Sequence, residues 1–128
     1  VTNNKNIRGI GVDIVNISRF EKKSLTPYIL SRLFHPDEKV EVKEKEGEFY
    51  ASRWAAKEAL VKALGSGFRN IAPQDIKVVV DELGKPSIEL SEKAIKTFNL
   101  QNSSIQLSLT HEKEIALAFV VVEDKCDS

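Results

Sequence analysis

The chain has 128 residues, 41% of them hydrophobic, which suits one domain with a modest core and removes the need for disulfide or metal staples on grounds of size. Its 19 basic and 19 acidic residues cancel, so there is no global pull toward nucleic acid or an anionic membrane, and any polyanion site must be local. The single cysteine, Cys126, excludes a disulfide framework or a thiolate metal site and fits a reducing cytoplasm, and no apolar run approaches a membrane span or a secretory signal.

Residues 1–6 and 124–128 are polar and are expected to fray; the rest reads as a single domain without repeats or linkers. Ile7 to Val15 is mostly apolar, interleaved with Gly9, Gly11 and Asp13, and predicts a first strand ending near Asp13. Ile17 to Leu33 predicts one or two short helices, broken before Pro27. Pro36 to Glu46 starts as a helix and becomes so polar that its charges read as a solvated face. Glu48 to Leu64 is the clearest helix, with Phe49, Ala56, Leu60, Ala63 and Leu64 as an apolar stripe and Gly65 as its stop. The β-branched Ile76 to Val80 predicts a strand, followed by a Gly-Lys-Pro turn and a short strand over Ser87 to Leu90. Ser91 caps a helix running to Leu100. Ile105 to Thr110 and Ile115 to Val122 predict a hairpin joined by His111 to Glu114. Strands joined by turns rather than regular crossover helices favour an α+β fold with a largely antiparallel sheet around a long helix.

Three separated segments carry residues suited to chemistry. In the first, Asp13 ends an apolar strand; taken alone, it is equally a solvent-facing strand end or a helix cap. Gly9 and Gly11 do not make a dinucleotide fingerprint, because the third glycine and the strand–turn–helix order are missing. In the second, Trp54, Glu58 and Lys62 fall on one helix face and Arg53 and Lys57 form the neighbouring ridge. Glu58 and Lys62 are either a surface ion pair or, alternatively, an oxygen ligand for a hard cation beside an ammonium for phosphate. Gly65 and Gly67 would let backbone approach a ligand. In the third, His111 follows Ser108 and Thr110, and is either an exposed turn residue or a phosphate contact with a hydroxyl donating alongside it. His35 has no supporting group and reads as a surface residue.

Together, Gly11-Val12-Asp13, the helix Trp54-Ala55-Ala56-Lys57-Glu58-Ala59-Leu60-Val61-Lys62-Ala63 and Ser108-Leu109-Thr110-His111 resemble, in order and spacing, the holo-[acyl-carrier-protein] synthase family of 4′-phosphopantetheinyl transferases. The helix motif is the specific part. Gly65-Ser66-Gly67 and Gly84-Lys85-Pro86 look like two further landmarks of that family. Trp54 stands where many members have Phe, and Ser66 where Thr is commoner; the aromatic ring and the hydroxyl are kept.

The resemblance implies the 4′-phosphopantetheinyl transferase fold and transfer of 4′-phosphopantetheine from coenzyme A to a serine of apo acyl carrier protein. Adenosine 3′,5′-bisphosphate leaves. It implies Mg²⁺ held by Asp13 and Glu58, with Lys62 neutralising charge at the transferring phosphate. Arg53 and His111 would hold the 3′-phosphate of coenzyme A, with Lys57, Gly65, Gly67, Pro86, Ser108 and Thr110 as further contacts. An acidic carrier would dock on a basic strip of Arg19, Lys22 and Lys23. Members of this type imply a homotrimer with sites between subunits, working in the cytoplasm without nucleic acid or membrane. Two other readings compete: a metal-dependent phosphohydrolase, and a non-catalytic α+β binding module, which the 7% aromatic content and the lack of a basic aromatic strand disfavour.

Overall fold

The computed structural model describes residues 5–21, 25–39 and 46–125. Strands β1 (Lys5–Asn16), β2 (Ile76–Val80), β3 (Pro86–Leu90), β4 (Ser103–His111) and β5 (Ile115–Lys125) join helices α1 (Pro27–Leu33), α2 (Glu46–Leu64) and α3 (Glu92–Thr97). Short 3₁₀ turns lie over Ile17–Phe20, Pro36–Lys39 and Pro73–Asp75. Strands β1, β5 and β4 form an antiparallel sheet in that order, and β2 and β3 form a separate hairpin. The expected α+β architecture with a long central helix is therefore present.

Local chemistry sets the element boundaries. Thr26 accepts a hydrogen bond from the Ile29 N–H at 3.1 Å and Pro27 opens α1, where its missing N–H costs nothing. Ser91 likewise accepts from the Ala94 N–H and caps α3. At the end of α2, Gly65 adopts φ +73°, and the N–H groups of Gly65 and Ser66 donate to the carbonyls of Lys62 and Val61, a Schellman closure. The strand ends differ from expectation. Lys5 and Asn6 continue β1 opposite Lys125 and Asp124, so part of each expected frayed end is paired with the other.

Helix α2 is buried on most of its circumference rather than along one stripe. Phe49 and Leu64, expected in the stripe, are only half-buried, whereas Ala51, Ala55, Ala59 and Ala63 form an i, i+4 row that is buried. Small side chains there let the helix lie close to the sheet. A Cβ on Gly9 would stand 1.9 Å from the Ala63 carbonyl oxygen, and one on Gly11 1.8 Å from that of Ala59. Two strand residues span about 6.7 Å and four helix residues about 6 Å, so this glycine pair matches one helical step. The opposite side of α2, which carries Tyr50, packs on Phe34 and Ile76, with the Phe34 and Tyr50 rings 4.8 Å apart.

Candidate active site

The glycine–alanine seam determines where Asp13 falls. Along β1, Gly9, Gly11, Asp13 and Val15 face α2, while Ile10, Val12 and Ile14 face the other way and are exposed. Two residues beyond the Gly11–Ala59 contact, the Asp13 carboxylate arrives beside the outward edge of α2. There Lys62 Nζ donates to Asp13 Oδ1 at 2.9 Å and to the Val12 carbonyl at 3.1 Å. Lys62 therefore pairs across to β1 rather than down its own helix to Glu58.

Glu58 completes the group. Its half-buried carboxyl is pushed up from the ordinary range, first by burial and then by the charge of Asp13, with Lys62 and Arg19 acting in the opposite sense. Asp13, Glu58, Lys62 and Arg19 thus share one electrostatic neighbourhood, drawn from β1, α2 and the first 3₁₀ turn. Hydrogen bonding to Asp13 pushes the Lys62 ammonium up. Among the described residues there is no cluster of three or more His, Cys, Asp or Glu side chains able to enclose a metal. Two carboxylates under mutual repulsion suit a hard cation such as Mg²⁺, which commonly takes one or two carboxylates and fills its shell with substrate phosphate and water.

The other expected contacts are not gathered here within one chain. Lys57 turns into the interior, fully buried, and donates to Glu38 Oε1 at 2.6 Å and to the carbonyls of Pro73 and Ile76 at 2.9 and 2.6 Å. All three of its donors are used, so it has none left for a phosphate. This corrects its assignment to coenzyme A and also the reading of Pro36 to Glu46 as a wholly solvated face, since Glu38 is buried. Glu38 additionally accepts from the N–H groups of His35 and Val78, pinning the second 3₁₀ turn to α2 and β2.

Arg53, on the Lys57 ridge, lies with its guanidinium carbon 3.6 Å from the Phe49 ring centroid, and its buried Nε has no hydrogen-bond partner among the described residues. Burial lowers its pKa, against the pull of Glu38 and Tyr50. His111 is the last residue of β4 rather than a turn residue, and its Nε2 lies 3.0 Å from Glu48 Oε1, in an open groove of about 590 Å³ shared with Ile17, Glu21 and Lys113. Glu48 precedes Glu58 by ten positions, about 15 Å along the helix axis. Ser108 and Thr110 lie on the opposite sheet face from His111, because strand side chains alternate. Gly65 and Gly67 have open space where a Cβ would be, and Pro86 starts β3 opposite Val80. Arg19 is exposed beside Glu58; Lys22 and Lys23 lie outside the described residues. Sequence reasoning missed Glu38 and Glu48, whose partners, Lys57 and His111, are far away in sequence.

The site thus brings a strand carboxylate, held by the neighbouring glycines close to α2, together with Glu58 and Lys62, four residues apart on that helix. The model of the 4′-phosphopantetheinyl transferase superfamily matches residues 9–120, and the chain belongs to that superfamily. Within it the similarity is to holo-[acyl-carrier-protein] synthases. The Clostridium botulinum (strain Eklund 17B / Type B) enzyme of that name is 42% identical over 120 residues, covering 91% of this chain and 98% of the relative. The structure of the Helicobacter pylori holo-[acyl-carrier-protein] synthase in complex with coenzyme A superposes with a TM-score of 0.78 at 37% identity, covering 88% of this chain and 98% of that one. The Neisseria meningitidis enzyme gives 0.82 at 34% identity, covering 91% and 98%.

Proposed function

We infer that this chain is a holo-[acyl-carrier-protein] synthase, moving 4′-phosphopantetheine from coenzyme A to a serine hydroxyl of apo acyl carrier protein. The observation that carries this reading is the meeting of Asp13, Glu58 and Lys62 at the α2–β1 seam, in a chain of that superfamily. Coenzyme A is the ligand of the Helicobacter pylori relative, which supports the same donor here.

In the reaction the serine oxygen forms a bond to the phosphorus nearest the pantetheine. The bond from that phosphorus to the bridging oxygen breaks, the serine proton is lost, and adenosine 3′,5′-bisphosphate leaves. Such a step depends on positioning and charge neutralisation more than on covalent help. Asp13 and Glu58 are the proposed holders of Mg²⁺, which when bound would neutralise charge on the diphosphate and the leaving group. Lys62 supplies a further positive charge at the same mouth. Arg53 and His111 remain the proposed contacts for the 3′-phosphate, with Gly65, Gly67, Pro86, Ser108 and Thr110 as further contacts; Lys57 is not retained.

We further propose a homotrimer with sites shared between subunits, working in the cytoplasm. Support comes from the outer sheet face, where Ile10, Val12, Ile14 and Phe119 form a neighbouring set of exposed apolar side chains, with Val12 registered opposite Phe119. Ser108 and Thr110 lie on that same face and could reach only a site completed there by a neighbour. Arg19 is the proposed anchor for an acidic carrier, with Lys22 and Lys23 extending the strip. No helix among the described residues is long and apolar enough to cross a membrane.

The test is a nucleotide balance. With coenzyme A and Mg²⁺, adenosine 3′,5′-bisphosphate should appear only when apo carrier is added, one for each carrier modified. Its release without carrier would favour a hydrolase.

A further inference from the structure

The Lys62 ammonium rests on two oxygens, the Asp13 carboxylate and the Val12 carbonyl. These are the oxygen types a hard cation takes. We propose that Lys62 is a built-in stand-in for the divalent cation, occupying the Asp13 oxygen in the metal-free protein and displaced when the metal binds, which frees its charge for the substrate's phosphates. The proposal rests on Asp13 and Glu58 being the metal ligands.

Three features support an exchange rather than a fixed pair. The Asp13 side chain is only 13% exposed, held on a central stretch of β1, whereas the Lys62 side chain is 53% exposed. The carboxylate is the fixed partner and the ammonium the one with room to leave, on a flexible four-carbon stem. The charge of Asp13 acts on Glu58, and among the described residues no cation is hydrogen-bonded to Glu58, so a positive charge shared by the two carboxylates is favourable. Lys62 is the nearest such charge, and its hold is that of a half-exposed ion pair, weak enough for a divalent cation to outcompete.

If Lys62 is a stand-in cation, removing its positive charge should improve metal binding while harming transfer. Mn²⁺ is the probe, followed by the electron paramagnetic resonance signal of the free ion, with neither coenzyme A nor carrier present. Lys62→Met should bind Mn²⁺ on the order of tenfold more tightly than wild type, the scale of removing one partly screened unit charge at short range. Lys62→Arg, which keeps the charge, should stay near wild type, and adding Asp13→Asn to Lys62→Met should abolish the gain. Because Lys62 is half-exposed, these changes leave the core untouched. Uptake by wild type with equal or weaker uptake by Lys62→Met overturns the stand-in alone, as does equal tightening by Lys62→Arg. No uptake by any of the proteins overturns the metal reading and the stand-in together.

Discussion

Gly11 lies so close to Ala59 that a methyl group on it would stand 1.8 Å from the Ala59 carbonyl oxygen. The site depends on this contact, because it sets the depth at which β1 meets α2 and hence where Asp13 stands relative to Glu58 and Lys62. Gly11→Ala must push strand and helix apart. We expect a stability loss of about 1–3 kcal/mol, the usual range for overpacking a tight interior, with a larger fractional loss of transfer activity. Urea unfolding and a rate measurement on the folded fraction separate the two effects.

Lys57 and Glu38 give a contrasting case, a buried ion pair that the site does not use. Removing one member leaves the other charged and buried, so Lys57→Met and Glu38→Ala should each cost about 3–5 kcal/mol. The denaturation midpoint checks the cost. The KM for coenzyme A, measured on whatever remains folded, should be nearly unchanged in Lys57→Met. A selective rise in KM would return Lys57 to the binding site.

Acid should disarm the carboxylate pair earlier than an ordinary carboxylate would predict. Burial and Asp13 raise the pKa of Glu58, and only its ionised form holds a cation. As pH falls through that raised value, the proton competes with the metal, so Mn²⁺ affinity and kcat/KM should fall together. The stability effect has the opposite sign. A carboxyl whose pKa is raised by folding favours the folded state most below its unfolded pKa, and this contribution is lost as pH rises through the folded value. Above that folded value the ionised Glu58 therefore weakens the metal-free fold. Glu58→Gln should raise the melting temperature of the metal-free protein while removing activity.

The exposed apolar face predicts the assembly. Val12→Asp or Phe119→Asp places a charge in the middle of the patch without touching the α2 side of the sheet. Light scattering should show a trimer for wild type and a monomer for either variant, with transfer activity lost on dissociation. A monomeric wild type with full activity would remove the shared-site reading.

Much of this was legible in the sequence because it is local. The Ser91 cap, the Gly65 stop and the β-branched run of β2 each depend on a few neighbouring residues, and all three appear as expected. The helix motif singled out Glu58 and Lys62, and the strand motif Asp13, and the fold brings the three together. What escaped is non-local. Lys57 and Glu38 are 19 positions apart with a charged stretch between them, so nothing nearby marks Glu38 as buried. Gly9 and Gly11 showed no role until the helix that crosses them was in place. The opposed faces of His111 and of Ser108 and Thr110 follow from strand alternation once β4 is known to reach His111. A turn beginning at His111 would have left its direction free.

The central claim is that the Asp13–Glu58 pair is where phosphopantetheine moves. Its most direct test is the intact mass of an apo acyl carrier protein incubated with coenzyme A, Mg²⁺ and this protein. One phosphopantetheine unit should be gained with wild type, and none with EDTA or with folded Asp13→Ala or Glu58→Ala. An unmodified carrier with folded wild type, or a carrier modified as fully by folded Asp13→Ala or Glu58→Ala, would contradict the account.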